Sequence, residues 1–430
     1  MSEPIKPVRS RQLLTRIAGT LRWAIVNWTI VLSGLVLYSG LNAITLIIVA
    51  RRVAPLEYGQ YLASFALASF LVIIPGFGMD AWLLTQSSDN KTSAASLWAS
   101  SIKTRGSLLL VWIIAMIPLS ILLPKGTYPP SILLPTILGV ALDSLILLSF
   151  SALRIRGQHK IVTLLQAGSG TSLLALTLMM PLSDGQIALF AVARTILSII
   201  FFMILLLYMG RDYMKNRAPL MGFGQILGAS RTFMWAELAS SVYVKADLTI
   251  ISIVIGPLGT SVYGPAITVL QAAFIILRAL FYFFVPILSK TYSKNIKDYV
   301  NKGIVHFLIQ ITTGAVISIF LFLLADPVIN LIFTSAYADS AVVLRLLSPI
   351  PFIRSINFAL GAVLTSSHRQ GRRTRVQISA ALINILGNLL IIGPLGINGV
   401  AIVYIFSEIF LALGYILLVR DLKKQLTLAL

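Results

Sequence analysis

Apolar runs of about twenty residues recur from one end of this chain to the other, more than any soluble core could bury. They lie at about 27–49, 57–85, 107–123, 131–153, 161–181 and 186–209. A second series follows at about 230–256, 261–290, 304–324, 341–365, 376–396 and 398–420. Each run can cross a hydrocarbon core of about 30 Å as a helix. Lipid offers the backbone no hydrogen bonds, so only helices or a closed barrel can span it, and these runs lack the period-two alternation of barrel strands. The reading is an all-α polytopic membrane protein with about twelve transmembrane helices. A mean hydropathy of +0.92 with only 11% charged residues agrees with it.

The charges then orient the chain. A formal net charge of +20 raises nucleic acid as a partner, but the basic residues come in short clusters between the spans, the pattern of cytoplasmic loops, and no nucleic-acid partner is expected. One side of the membrane collects Lys91, Lys103 and Arg105; Arg154, Arg156 and Lys160; Arg211, Lys215 and Arg217; Lys290 to Lys302; Arg369 to Arg375; and Arg420 to Lys424. The other side receives only Arg51, Arg52 and Lys125, which puts both termini in the cytoplasm. Residues 1–26 read as a basic cytoplasmic tail. Within it Leu13, Leu14, Ile17 and Leu21 oppose Arg11, Arg16 and Arg22, as in a surface-lying amphipathic helix or a basic flank of the first span.

The chain also reads as a duplication. An offset of 205 carries Tyr58-Gly59 onto Tyr263-Gly264 and Asn42 onto Asp247. An offset of 214 carries Pro135 onto Pro349, Gly157 onto Gly371 and Arg194 onto Glu408. Matches in a constant order predict two six-helix lobes, 27–210 and 230–420, with a basic linker at 211–229 and a cytoplasmic tail at 421–430. An even number of spans per lobe makes the repeats parallel, with a substrate site between them.

Candidate functional residues are the charges that fall inside spans. Each costs roughly 2.5–3.5 kcal/mol on insertion scales at the helix centre, so such groups face an interior, a water-filled cavity or a partner. The stretch from Trp235 to Lys290 holds Glu237, Lys245, Asp247 and Arg278. At 3.6 residues per turn Lys245 and Asp247 diverge around the helix, so that the helix borders a wide cavity, or one charge faces it while the other pairs with a neighbour, or both are neutralised structural charges holding helices together. Gln271, Arg278 and Tyr282 form, with Thr268, a polar stripe on the eighth span. The guanidinium of Arg278 suits phosphate or carboxylate; an ion pair with Asp247 is the alternative. Tyr38 and Asn42 make a weaker stripe on the first span, where Asn42 fits a ligand contact or a helix-packing bond. Ser348-Pro349-Ile350-Pro351 should break the tenth span a turn before Arg354, and Pro135 repeats that proline as a site, hinge or plain kink. Asp143, Arg194 and Glu408 complete the set. The deep cations Arg194, Lys245, Arg278 and Arg354 are matched in number by Asp143, Glu237, Asp247 and Glu408, so a cationic lumen does not follow from the count.

Enzyme chemistry finds little support. The chain has no cysteine and no G-x-x-x-x-G-K-[ST] loop, and His159, His306 and His368 lack metal-ligand spacing, so no metal or cofactor is expected. A membrane glycosyltransferase or polymerase would need a large outward loop, whereas the longest, roughly 325–340, is short. Transport remains.

The segment Ala50-Arg51-Arg52-Val53-Ala54-Pro55-Leu56-Glu57-Tyr58-Gly59, with Gly76-Phe77-Gly78-Met79-Asp80 after it, resembles the opening of bacterial polysaccharide and O-antigen flippases. These belong to the multidrug/oligosaccharidyl-lipid/polysaccharide exporter superfamily. Lys245-Ala246-Asp247, Ile255-Gly256-Pro257 and Tyr263-Gly264 are similar to the start of that family's second half, and the turns Arg156-Gly157-Gln158 and Gln370-Gly371-Arg372-Arg373 also fit. The resemblance implies a MATE-like exporter fold in the bacterial inner membrane. It further implies alternating access that moves an undecaprenyl-diphosphate-linked oligosaccharide outward, alongside membrane lipids and the polysaccharide polymerase and export machinery, for surface polysaccharide such as O-antigen or exopolysaccharide. In that scheme Arg278, supported by Lys245 and Arg354, holds the diphosphate, and Asp247 or Glu237 balances charge or couples protons. A cation-coupled multidrug exporter of the same superfamily is the alternative.

Overall fold

The computed structural model describes residues 34, 36–85, 91–216, 219–292 and 294–428, and it is helical throughout, with no strand among the described residues. Residues 1–33, with the amphipathic segment and the start of the first span, lie outside them. Helix α1 covers 36–52. Next come α2 (Pro55–Leu71), α3 (Ile73–Gly76), α4 (Met79–Thr85), α5 (Lys91–Leu122), α6 (Pro130–Ile155), α7 (His159–Met179) and α8 (Ile187–Asn216). The second half comprises α9 (Phe223–Val254), α10 (Pro257–Tyr292), α11 (Ile296–Leu323), α12 (Ala325–Ile332), α13 (Asp339–Leu347), α14 (Ile350–Ser366) and α15 (Gln370–Leu428).

Local chemistry sets these boundaries. Pro55 and Pro130 open α2 and α6 at the first turn, where the missing N–H costs nothing. Asn295 caps α11, its Oδ1 accepting from the backbone of Lys297 at 3.0 Å and Asp298 at 3.2 Å. The run Gln370–Leu428 is two helices joined at Gly396, whose φ of 56° and ψ of −140° suit glycine alone, between the expected eleventh and twelfth spans. By length and apolarity nine stretches of the described residues can cross a membrane, counting Gln370–Lys424 once. Helix α9 is not among them because Arg231, Glu237, Lys245 and Asp247 interrupt its apolar surface.

Most elements show apolar residues on both faces, as lipid requires. On α5, Leu110, Ile114, Ile117 and Ile121 are exposed while Leu109, Trp112 and Met116 are buried. Burial marks the central helix: 67% of the most apolar window of Pro55–Gly76 is inside the protein, against 28% for Ala94–Leu122. Helices α4 to α8 pack chiefly on one another, as do α10 to α15; the halves join at α2, which lies mainly against α10 and α9 of the second half. Glycines permit this crossing. A Cβ on Gly59 would stand 1.9 Å from the Pro257 carbonyl oxygen, and one on Gly264 would stand 2.2 Å from Leu62. The Tyr-Gly pairs matched in the sequence are therefore the two sides of one close contact.

Two spans differ from expectation. The third was read as 107–123, with Lys103 and Arg105 in a cytoplasmic loop. Helix α5 instead begins at Lys91, and Arg105 is fully buried. The second, read as continuous, breaks at Val72 and again at Phe77-Gly78, which take φ of 50° and 67°. These departures explain each other. The break frees the Gly76 carbonyl, and Arg105 donates to it at 2.7 Å, to the Ser144 carbonyl at 2.9 Å and to both Asp80 oxygens at 3.1 and 2.9 Å. An arginine that looked like a topology signal is a bolt through a broken helix. The basic linker is also shorter than read, since α8 runs to Asn216 and α9 starts at Phe223.

Candidate functional site

Two polar clusters lie inside the bundle, one in each half of the chain. The first lines a cavity of about 300 Å³ among α1, α2, α6, α7 and α8, with Glu237 and Lys245 entering from α9. Asp143 of α6 accepts from Arg194 of α8 at 3.2 Å and from the Ser198 hydroxyl at 2.7 Å. Arg194 gives its other terminal nitrogen to the Tyr61 hydroxyl at 2.7 Å, and its guanidinium carbon lies 4.4 Å from the centre of the Phe65 ring. The pair is thus closed on itself and carries no net charge. Tyr38 and Asn42 face the same space, the Asn42 amide donating to the Tyr38 carbonyl at 2.8 Å within α1. Lys245 donates to the Ser69 carbonyl of α2 at 3.0 Å. Gln166 of α7 lines the cavity at 4% exposure, and its side-chain amide has no hydrogen-bond partner among the described residues.

The second cluster joins α9, α10, α14 and the two arms of α15. Arg354 donates to the Tyr404 hydroxyl at 2.6 Å, lies 3.4 Å from Glu408 and sits 4.3 Å over the Phe274 ring. Glu408, its side chain 1% exposed, also accepts from the Asn357 amide at 2.6 Å. Asp247 accepts from Asn388 at 2.7 Å and from the Tyr263 hydroxyl at 3.2 Å. Arg278 donates to Gln271 on its own helix at 2.9 Å. It stands within electrostatic reach of Arg354, and no carboxylate among the described residues lies within ion-pair distance of it. One turn on, Tyr282 is 37% exposed and feels the charge of Arg154 at the end of α6.

Several open readings are decided here. The Arg278 to Asp247 ion pair does not form, because Asp247 turns to α15 and Tyr263 while Arg278 turns to Gln271. Lys245 and Asp247 diverge as helical geometry required, one into each cluster. The proline segment separates α13 from α14 by Ser348 and Pro349, whereas α6 runs through Pro135, whose carbonyl accepts from Thr195 at 2.7 Å. Sequence reasoning missed Gln166, Tyr61, Asn357, Asn388, Tyr404 and Arg105. All but Arg105 are uncharged, and Arg105 finds its acid 25 residues away. Among the described residues no three His, Asp or Glu side chains gather as they would around a metal ion.

Beside the clusters, one end of the interface between the halves is bonded shut. Thr260 donates to the Gly59 carbonyl at 2.8 Å, and the Tyr128 and Ser252 hydroxyls meet at 2.7 Å. Tyr337 donates to the Ala50 carbonyl at 2.9 Å and Arg51 to the Leu331 carbonyl at 3.1 Å. The Tyr58 and Tyr337 rings pack edge to face, 5.8 Å apart.

A sequence model of the family described as polysaccharide biosynthesis protein matches residues 48–342. No curated protein matches the chain. Among solved structures the chain is similar to the lipid II flippase MurJ in an inward closed conformation. The TM-score is 0.70 at 14% identity, over 90% of this chain and 86% of that one. It is similar to a multidrug resistance MATE family transporter of the MOP superfamily in an inward-facing conformation, with a TM-score of 0.68 at 14% identity over 90% of this chain and 95% of that one. A MOP superfamily transporter from Pyrococcus furiosus, described as having a binding pocket of reverse polarity, gives a TM-score of 0.56 at 14% identity over 91% and 94%. At these identities the likeness speaks to the fold.

Proposed function

Because this chain belongs to the polysaccharide biosynthesis protein family, a family of multi-pass membrane transporters, we propose that it is a flippase for a lipid-linked oligosaccharide. In this reading an undecaprenyl-diphosphate-linked glycan passes from the inner to the outer leaflet of a bacterial inner membrane by alternating access. Two six-helix lobes, 27–210 and 230–420, rock about the α2/α10 crossing with both termini in the cytoplasm, and polymerase or export machinery takes the product. The bonded seam at Gly59, Thr260 and Tyr337 is the closed outer gate, and the interior cavity lies beyond it.

The observation that carries the reading is Arg278, a half-buried cation whose hydrogen bond goes to a neutral amide. Each deep acid of its half is directed elsewhere, Glu408 to Arg354 and Asn357, Asp247 to Asn388 and Tyr263, and Glu237 to the first-half cavity. Arg278 therefore keeps its charge for a ligand, and a guanidinium fork matches a diphosphate. Arg354 supports it from within electrostatic reach, Lys245 turns instead into the first-half cavity, and Asp247 or Glu237 is the coupling group. Transport follows only if the substrate binds the two conformations unequally. The drug-exporter alternative asks for an acidic cavity, and here Asp143 is neutralised by Arg194 and Asp80 by Arg105. Glycan export in cells carrying Arg278→Ala, with membrane levels of the protein unchanged, is the test. Loss of export is expected, and undiminished export sinks the role of Arg278.

A further inference from the structure

We infer that the first-half cavity is the saccharide compartment of the transport site, holding one uncharged, hydroxyl-rich sugar ring while Arg278 holds the anionic linkage outside it. This rests on the flippase reading above and adds where the glycan sits. Charge separates the two compartments. Inside the cavity Asp143 closes on Arg194 and Asp80 on Arg105, and the two charges that enter from α9, Lys245 and Glu237, are one cation and one acid, so the lining carries no surplus positive charge for a phosphate.

What remains is hydrogen-bonding capacity. The buried Gln166 amide offers two donors and an acceptor with no hydrogen-bond partner among the described residues. A buried polar group left unmet costs about 1–3 kcal/mol, so the site is poor for an apolar occupant. A hydroxyl both donates and accepts and satisfies either end of that amide. The rings of Tyr38 and Phe201, which line the same cavity from α1 and α8, provide flat apolar faces of the kind that cover the C–H face of a sugar. A volume of about 300 Å³ sits at the small end of ligand pockets, room for a single ring with a few waters and too little for a lipid tail.

The experiment is equilibrium binding to the full-length protein in nanodiscs. The probes are undecaprenyl diphosphate and the same lipid bearing one glucose, galactose or N-acetylglucosamine. Wild type should bind at least one sugar-bearing probe about tenfold more tightly than the bare lipid. Gln166→Leu should erase that gain while binding the bare lipid as before, which also shows that it is folded, and Arg278→Ala should weaken every probe. A gain that survives Gln166→Leu overturns the compartment. So does wild-type binding of the bare lipid to which no sugar adds anything, leaving a cavity for water alone. Binding of neither bare nor sugar-bearing lipid by wild type takes down the flippase reading itself, and the compartment with it.

Discussion

The two halves of the chain solve one electrostatic problem in opposite ways. Residues 143 and 357 lie 214 apart, as do 194 and 408, and each pair bridges corresponding helices, α6 to α8 and α14 to α15. In the first half the pair is Asp143 with Arg194, a cation on the later helix. In the second it is Asn357 with Glu408, an acid on the later helix, and Arg354 enters from one turn earlier to neutralise it. The first cluster is therefore complete within itself, while the second recruits an arginine and has another, Arg278, beside it. Exposure differs too. Asp143 is 29% exposed in its cavity, whereas the Glu408 side chain is 1% exposed and is the costlier charge to strand. Equivalent positions thus carry unequal work: neutral polarity on one side, an available cation on the other.

The largest expected effect comes from stranding the buried acid. Arg354→Ala leaves Glu408 without its cation and should destabilise the protein by about 3–5 kcal/mol, read as a lowered unfolding temperature in detergent. Removing both charges at once, with Arg354→Met and Glu408→Gln, should recover most of that loss; no recovery would mean the pair is not what holds α14 to α15. Next, the Asp143 to Arg194 pair should show a coupling energy of about 1–3 kcal/mol in a double-mutant cycle, smaller than the cost of stranding Glu408 because water reaches it. A coupling as large as the Arg354 effect would erase the contrast between the halves. Tyr61→Phe and Tyr404→Phe each remove one hydroxyl from an arginine and should cost about 1 kcal/mol apiece. The smallest stability effect is expected at Arg278→Ala, within about 0.5 kcal/mol, although this variant should abolish export. If it unfolds the protein as Arg354→Ala does, Arg278 is a structural charge and the surplus-cation argument fails.

Much of this was legible in the chain. The apolar runs could belong only to helices in lipid, and the matched Tyr-Gly pairs marked the α2/α10 crossing because only glycine lets backbones approach that closely. Helical geometry separated Lys245 from Asp247, and the polar stripe put Gln271 and Arg278 on one face of α10, where they bond. Other features were illegible for identifiable reasons. Arg105 sat in a basic cluster beside Lys103, and nothing local distinguishes a cation in a loop from one bolting Asp80 and the Gly76 carbonyl across a broken helix. Gln166 carried no charge to draw notice, and its meaning depends on what does not reach it.

The sequence by itself determined the helical membrane class, the positions of most spans and the intramembrane charges other than Arg105, since hydropathy and helical period act locally along the chain. It could not say which charge meets which. Four deep cations faced four deep acids, and that count was compatible with complete cancellation. Partnership over separations of 25, 51 and 54 residues depends on helix packing, and packing alone gave Arg105 to Asp80, Arg194 to Asp143 and Glu408 to Arg354 while leaving Arg278 beside a neutral amide.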